Sequence, residues 1–178
     1  CVNYLGGCYG SSGPASIDPR TQKPYGASFP QVSASDIVDS QMALLNHLGI
    51  DRLHAVIGNS VGGMLALNLA VRYPERVTIV VPVATAINVS QLQRIMVLEQ
   101  IVAVENDLNF RGGDYYDGQP PNRGLALARM ISHKTFISLR TIERRAQRNV
   151  VRQDHDQLAW YHVETPLESY MLHQGNKF

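Results

Sequence analysis

Val56-Ile57-Gly58-Asn59-Ser60-Val61-Gly62-Gly63 is the stretch that decides how this chain is read. The apolar run Leu53 to Ile57 enters it, and the helix-like run Met64-Leu65-Ala66-Leu67-Asn68-Leu69-Ala70 leaves it. A serine between glycines at a strand-to-helix junction has the G-x-S-x-G pattern of a nucleophile elbow. Such a turn forces the serine into strained torsions, so small residues must flank it. It lifts the Ser60 hydroxyl clear of the sheet and sets the Val61 N–H where an oxyanion would form, with the positive end of a helix aimed at the same point. Two other readings use the same residues. One is a glycine-rich turn whose serine caps the helix. The other is a phosphate-binding loop, which lacks here the Lys-Ser/Thr ending of a Walker sequence.

Working outward, residues 1–5 read as the end of a strand, and Gly6 to Pro30, rich in Gly, Pro, Ser and Tyr, as a long structured loop. Ser33 or Ser35 caps a helix running to about Leu48, with Ile37, Val38, Met42, Leu44, Leu45 and Leu48 at helical spacing and Gly49 as its stop. Leu53 to Ile57 reads as a short buried strand and Gly62 to Tyr73 as a helix stopped by Pro74. Val77 to Val83 is β-branched without alternation, the pattern of a strand covered on both faces. Helix, strand, helix, strand in that order implies an α/β fold with a parallel sheet. After Ala84 the character changes. Val89 to Val104, Leu125 to Ile131 and Ser138 to Gln147 read as helices, 149–165 as a polar loop or arm, and Glu168-Ser169-Tyr170-Met171 as the opening of another helix. The expected organisation is a core over residues 1–87 and a helical insertion over 88–178. The chain opens on Cys1 inside an apolar segment and stops soon after a helix begins, so both ends read as cut from a longer protein.

With 178 residues, 44% of them hydrophobic, the chain is long enough for a sizeable core. A net charge of +1 gives no reason to expect nucleic acid or an anionic membrane as partner. The longest apolar stretch, Val77 to Ile87, is too short to span a bilayer. The two cysteines, Cys1 and Cys8, make no disulfide framework and fit a reducing compartment; Cys8 is expected to pack rather than react. No H-x-x-x-H and no zinc-spaced cysteine cluster points to a metal.

A serine nucleophile needs a histidine base and an acid to orient it, and after this kind of elbow they follow in the order acid, then histidine, on loops beyond later strands. His47 and His54 precede the serine. His133 falls in the helical half, and His155, His162 and His173 follow without an intervening strand. None is placed as a general base, and Asp107, Asp114, Asp117, Asp154 and Asp156 are no better placed as the acid. The elbow is therefore expected to lack its acid, its histidine and its second oxyanion donor within this chain.

Cys1-Val2-Asn3-Tyr4-Leu5-Gly6-Gly7-Cys8-Tyr9-Gly10-Ser11-Ser12-Gly13-Pro14 resembles a signature of the homoserine O-acetyltransferase family, which includes serine O-acetyl- and O-succinyltransferases. Pro24-Tyr25-Gly26, Asp36-Ile37-Val38, Gly112-Gly113-Asp114-Tyr115-Tyr116, Gly124 to Ile131, and Glu168-Ser169-Tyr170 with Gln174-Gly175 resemble it too. The resemblance implies a partial α/β-hydrolase fold with a helical lid. It implies ping-pong transfer of an acyl group, such as acetyl, from acyl-CoA through an acyl-Ser60 intermediate to an amino-acid hydroxyl. Acetyl-CoA or another acyl-CoA is then a co-substrate, and no cofactor or metal is held permanently. Arg129 aligns with a lid arginine that forks onto the substrate carboxylate. Seven residues on, Phe136 stands where the family commonly has a tyrosine near the substrate. Asn59 and Val61 replace the usual Gly and Met beside the serine. These departures lean the acceptor toward serine rather than homoserine. The resemblance also implies a homodimer through lid helices and a cytoplasmic, or else mitochondrial, place in cysteine or methionine biosynthesis. A hydrolase acting on water, and a catalytically silent fragment or dimerisation module, are the alternative readings.

Overall fold

In the computed structural model, residues 2–138, 140, 141, 144 and 166–177 are described. They form two compact units, Cys1–Val89 and Ser90–Phe178.

The first unit is built on a pair of parallel strands, β3 (Leu53–Asn59) and β4 (Val77–Val83), in a register that sets Leu53 beside Val77 and Asn59 beside Val83. They are joined by helix α2 (Val61–Arg72), which packs across both strands. Helix α1 (Ala34–His47) packs against α2 in turn. The core is the meeting of these elements: Val38 and Met42 of α1, Leu65 and Leu69 of α2, and Val77 of β4, with Leu53, Val56 and Val80 packed around them.

Both helix boundaries of α1 follow from local chemistry. Ser33 is the N-cap: its Oγ accepts the Asp36 N–H at 3.2 Å, while the Asp36 carboxylate accepts the Ser33 N–H at 2.8 Å. Gly49, at φ +69°, takes the left-handed turn that ends the helix. Arg76 then ties this corner down, donating to the Asp51 carbonyl, to the Ile50 carbonyl at 2.9 Å and to Asn46 Oδ1 at 2.9 Å. The two helices are also joined by charge. Arg72 donates to both carboxylate oxygens of Asp39, at 2.8 and 2.7 Å, and the Tyr73 hydroxyl donates to the same carboxylate at 2.7 Å.

Four expectations are corrected here. Residues 2–5 form no strand, because no neighbouring strand shares a ladder with them. The loop from Gly6 to Pro30 contains a small antiparallel hairpin, β1 (Ile17–Asp18) with β2 (Lys23–Pro24), and a 3-10 turn at Gly26–Ser28. Its anchor is Asp18, 2% exposed, whose carboxylate accepts the Arg20 main-chain N–H at 2.9 Å and two guanidinium N–H groups at 3.1 and 3.0 Å. Cys8 is exposed rather than packed: the Gly6–Gly13 turn closes on its own backbone, with Gly6 N–H donating to the Ser12 carbonyl, and leaves the thiol outside. Finally, among the described residues β4 is not covered on both faces, and β3 is only partly buried. Among the described helices α2 is the one packed across them, and Ile57 (70% exposed), Ile79, Val81 and Val83 remain open.

The second unit is helical: α3 (Gln91–Glu105), α4 (Asn122–His133) and α5 (Pro166–Gly175), with α4 packed against both of the others. Two glycines allow the close approach. A Cβ on Gly124 would lie 2.5 Å from the Ala103 carbonyl oxygen, and one on Gly175 would lie 3.0 Å from Met130 Cγ. Among the described residues no strand follows β4. The expected helix Ser138 to Gln147 and the segment 149–165 lie largely or wholly outside the described residues. No described helix is long and apolar enough to cross a membrane.

Two outcomes follow from this packing. Arg72 and Tyr73 hold the Asp39 carboxyl below its ordinary value, so the stabilisation is complete above the unfolded value of about 3.9 and is lost as pH falls through the lower folded value. The thermal midpoint should therefore fall on acidification below about pH 4, and less steeply in Asp39→Asn. Gly124→Ala should force α3 from α4 and destabilise by about 1–3 kcal/mol in denaturant titration.

Candidate active site

Ser60 occupies the junction of β3 and α2 with φ +54° and ψ −118°, a combination that L-residues rarely adopt. Strain of this kind costs about 1–3 kcal/mol and persists only where the surroundings over-determine it. The determinants are visible. Ser60 N–H donates to the Val83 carbonyl of β4 at 2.9 Å, which continues the parallel ladder one step beyond Asn59. The Ser60 carbonyl accepts from Gly63 N–H at 2.9 Å and Met64 N–H at 3.3 Å and so starts α2. Ser60 is the N-cap residue, yet its side chain makes no cap hydrogen bond. The capping-serine reading therefore fails, and Ser60 is exposed. Val61 follows as the first residue of α2, and its N–H donates to no group among the described residues. A free N–H at a helix start beside an exposed serine is the geometry of a nucleophile next to an oxyanion donor.

The glycines divide the work differently from the simple motif. A Cβ at Gly58 would lie 2.0 Å from the Gly62 carbonyl oxygen and 2.6 Å from Gly63 N. At Gly63 it would lie 2.6 Å from Thr85 Cγ2 and 3.0 Å from the Gly58 carbonyl oxygen. At Gly62 it would meet nothing within 4 Å. Gly58 and Gly63 are thus the positions that let the first turn of α2 come down onto the end of β3. Sequence reasoning placed the requirement on Gly58 and Gly62; Gly63 was visible only as the second half of a Gly-Gly pair.

A cleft of about 600 Å³ opens beside Ser60. It runs along β3 from Leu53 to Asn59 and is walled by Val2 and Tyr4, by Gln41 and Leu45 of α1, and by Leu65 and Leu69 of α2. Its lining is mostly apolar, with Tyr4, Gln41, Asn59 and Ser60 carrying the polar side-chain groups. Among the described residues no histidine and no carboxylate is hydrogen-bonded to Ser60 Oγ.

Arg129 and Phe136 belong to the second unit. Arg129 is half-buried on α4, and its carbonyl accepts the Ser132 hydroxyl at 2.9 Å. Phe136 lies past the end of α4, is 71% exposed, and sets its ring edge-to-face against His133 at 5.5 Å. His133 is a packing residue: its Nδ1 lies 3.2 Å from the Arg129 carbonyl and its ring meets Tyr170 of α5. Asp107, weighed above as an acid, is structural. Its carboxylate accepts Gly124 N–H at 2.8 Å and Asn109 N–H at 2.9 Å, so it caps α4, and those bonds hold its carboxyl below the ordinary value. Sequence reasoning missed this cap because it reaches across 17 residues. Nearby, Tyr115 and Tyr116 stack at 4.8 Å, and desolvation pushes the Tyr116 phenol up to about 12.

The strand–turn–helix and the strained serine define a known class. Residues 1–154 match the family model for the alpha/beta hydrolase fold, and the chain belongs to that family. Within it, the chain is 41% identical over its whole length to a homoserine O-acetyltransferase of Solidesulfovibrio magneticus, of which it covers 45%. It is 45% identical over 99% of its length to a homoserine O-succinyltransferase of Methylibium petroleiphilum, of which it covers 46%. Among solved structures, the homoserine O-acetyltransferase of Bacillus anthracis matches with a TM-score of 0.83 at 29% identity, over 93% of this chain and 44% of that one. The L374D mutant of esterase E22 matches with a TM-score of 0.82 at the same 29% identity, over 93% of this chain and 45% of that one. The resemblance read from the sequence is borne out along the whole chain, and the chain spans about half the length of the curated relatives it matches.

The glycine geometry gives a direct check. Gly58→Ala should destabilise by several kcal/mol or prevent folding, because the obstruction is main chain. Gly62→Ala should be neutral or stabilise by about 0.5–1 kcal/mol, as expected for an unobstructed helical position. Denaturant titration of the two variants separates these outcomes.

Proposed function

We propose that this chain carries the nucleophile and an oxyanion donor of an acyl-CoA-dependent O-acyltransferase acting on the hydroxyl of a small amino acid. The observation that carries the reading is the Ser60 turn: a strained serine at the head of α2, its hydroxyl uncommitted and the Val61 N–H beside it unused among the described residues. In the first half-reaction Ser60 Oγ attacks the thioester carbonyl and its proton passes to a base outside the described residues. The Val61 N–H takes the negative charge of the tetrahedral intermediate, the C–S bond breaks, and CoA leaves with the proton. In the second half-reaction the acceptor hydroxyl attacks the acyl-serine, the same base takes its proton and returns it to Ser60, and the O-acyl amino acid departs.

The relatives' names point to homoserine as acceptor and to acetyl or succinyl as the transferred group. Asn59, Val61 and Phe136 support serine as the alternative acceptor. In this reading Arg129 forks onto the carboxylate of the acceptor, Phe136 shapes its surroundings, and the second unit serves as lid. The exposed apolar residues of α3, among them Leu92, Ile95, Leu98 and Ile101, support a homodimer through that lid. No resident cofactor is required, acyl-CoA being consumed, and the place of action is the cytoplasm or mitochondrion, in amino-acid biosynthesis. In this reading the base and the acid are supplied from outside the described residues.

A second reading, an esterase that gives the acyl group to water, is supported by the equal likeness to esterase E22. Free-thiol release from acetyl-CoA, measured in a protein that carries this chain together with its base and acid, separates the two. Under the transferase reading release depends on added homoserine or serine and is abolished in Ser60→Ala. Release at full rate without an acceptor overturns it in favour of the esterase.

A further inference from the structure

The strain at Ser60 has a counterpart one strand away. Ala84, the residue after β4, has φ +47°, a left-handed conformation that a residue with a Cβ adopts only at a cost of about 1–2 kcal/mol. The two strained residues stand at the ends of adjacent parallel strands, since Asn59 pairs with Val83. They are also joined chemically. Val83, just before Ala84, gives its carbonyl to Ser60 N–H at 2.9 Å. Thr85, just after it, meets Gly63 so closely that a Cβ there would lie 2.6 Å from its Cγ2 and 2.8 Å from its own Cβ. Gly63 in turn donates its N–H to the Ser60 carbonyl at 2.9 Å. The left-handed step at Ala84 lets both neighbours reach the elbow, the carbonyl of one from the strand side and the side chain of the other from the helix side.

We propose that Val83-Ala84-Thr85 is a clamp that positions the nucleophile turn, with the Thr85 side chain seated on Gly63 as the positioning contact. Thr85 touches no reacting atom. It acts through Gly63, whose N–H bond to the Ser60 carbonyl fixes the first turn of α2 and with it the direction of the Val61 N–H. Shape carries the contact. Thr85 Oγ1 is buried with no hydrogen-bond partner among the described residues, while the methyl carbon makes the close approach. A β-branched side chain suits this because its χ1 is stiff. The same shape in valine should therefore serve, and a glycine should not.

The role of the clamp in catalysis rests on Ser60 being the nucleophile; the clamp itself does not, and the test keeps the two apart. Amide hydrogen exchange and 1H–15N spectra of the 178-residue chain read the geometry without any turnover. In Thr85→Gly the Ser60 amide, which bonds Val83, should exchange about tenfold faster or more, and the Val61 resonance should move, while the Leu69 amide in the core keeps its protection. Thr85→Val should match the parent. Gly63→Ala should disturb the same amides, and Gly63→Ala with Thr85→Gly should return them part of the way, incompletely because the Gly58 carbonyl oxygen also crowds that position at 3.0 Å. If Gly63→Ala does not fold, the contrast between Thr85→Gly and Thr85→Val decides alone. Equal loss of protection at Ser60 and Leu69, no change at Ser60, or a Thr85→Val variant that behaves like Thr85→Gly overturns the clamp. In a protein that acylates, Thr85→Gly should slow acylation of Ser60 about tenfold or more with KM for acyl-CoA little changed. Failure of Ser60 to acylate in the parent would remove the functional reading and leave the exchange result standing.

Discussion

The hydrogen bond from Ser60 N–H to the Val83 carbonyl is the interaction on which the rest of the site depends. It holds a residue with a side chain at φ +54° against its own preference. Without a neighbouring strand in that register the chain would relax into an ordinary helix start, and Ser60 would do what N-cap serines do: accept a bond from its own helix. The strain and the unused hydroxyl are therefore two aspects of one fact. Parallel pairing of β3 with β4 keeps Ser60 from capping α2, and what it does not give to the helix stays uncommitted among the described residues.

From that constraint the demands on the neighbouring residues follow in order. The helix must start immediately, so its first turn has to lie almost on the end of β3, which only glycine permits at 58 and 63. The helix then has to be anchored at its far end, and the Asp39–Arg72–Tyr73 network and the Val38–Met42–Leu65–Leu69 core do so against α1. The second unit solves a separate problem with similar means: glycines where helices cross, and the Asp107 carboxylate at the start of α4.

The periodic and punctuated parts of this architecture were legible in the sequence. The elbow, a serine cap at Ser33 or Ser35, the Gly49 stop, α2 and its Pro74 end, and β4 from Val77 to Val83 are written in local chemistry, and the parallel sheet follows from their order; the structure chooses Ser33. What was not legible depends on contacts across the chain. The Ile17–Asp18 hairpin has strands of two residues, one ending in proline, and owes its form to a buried carboxylate gripping Arg20 rather than to alternation. The apolar run of β4 was read as covered on both faces, but sequence reports only what could be buried. Among the described residues one helix layer covers one face, and Ile79, Val81 and Val83 stay open. Thr85 is invisible for the same reason. Nothing in Ala-Thr-Ala says that a methyl group will rest on a glycine 22 residues upstream.

The account turns on whether the Ser60 hydroxyl carries the acyl group. The direct measurement is peptide mapping by mass spectrometry after brief exposure to acetyl-CoA without acceptor, quenched in acid, of a protein that carries this chain together with its base and acid. The account predicts an acetyl group on the peptide containing Gly58-Asn59-Ser60-Val61-Gly62, esterified to Ser60 and lost when homoserine or serine is added before the quench. An acetyl group found on another residue, with Ser60 unmodified, would contradict it.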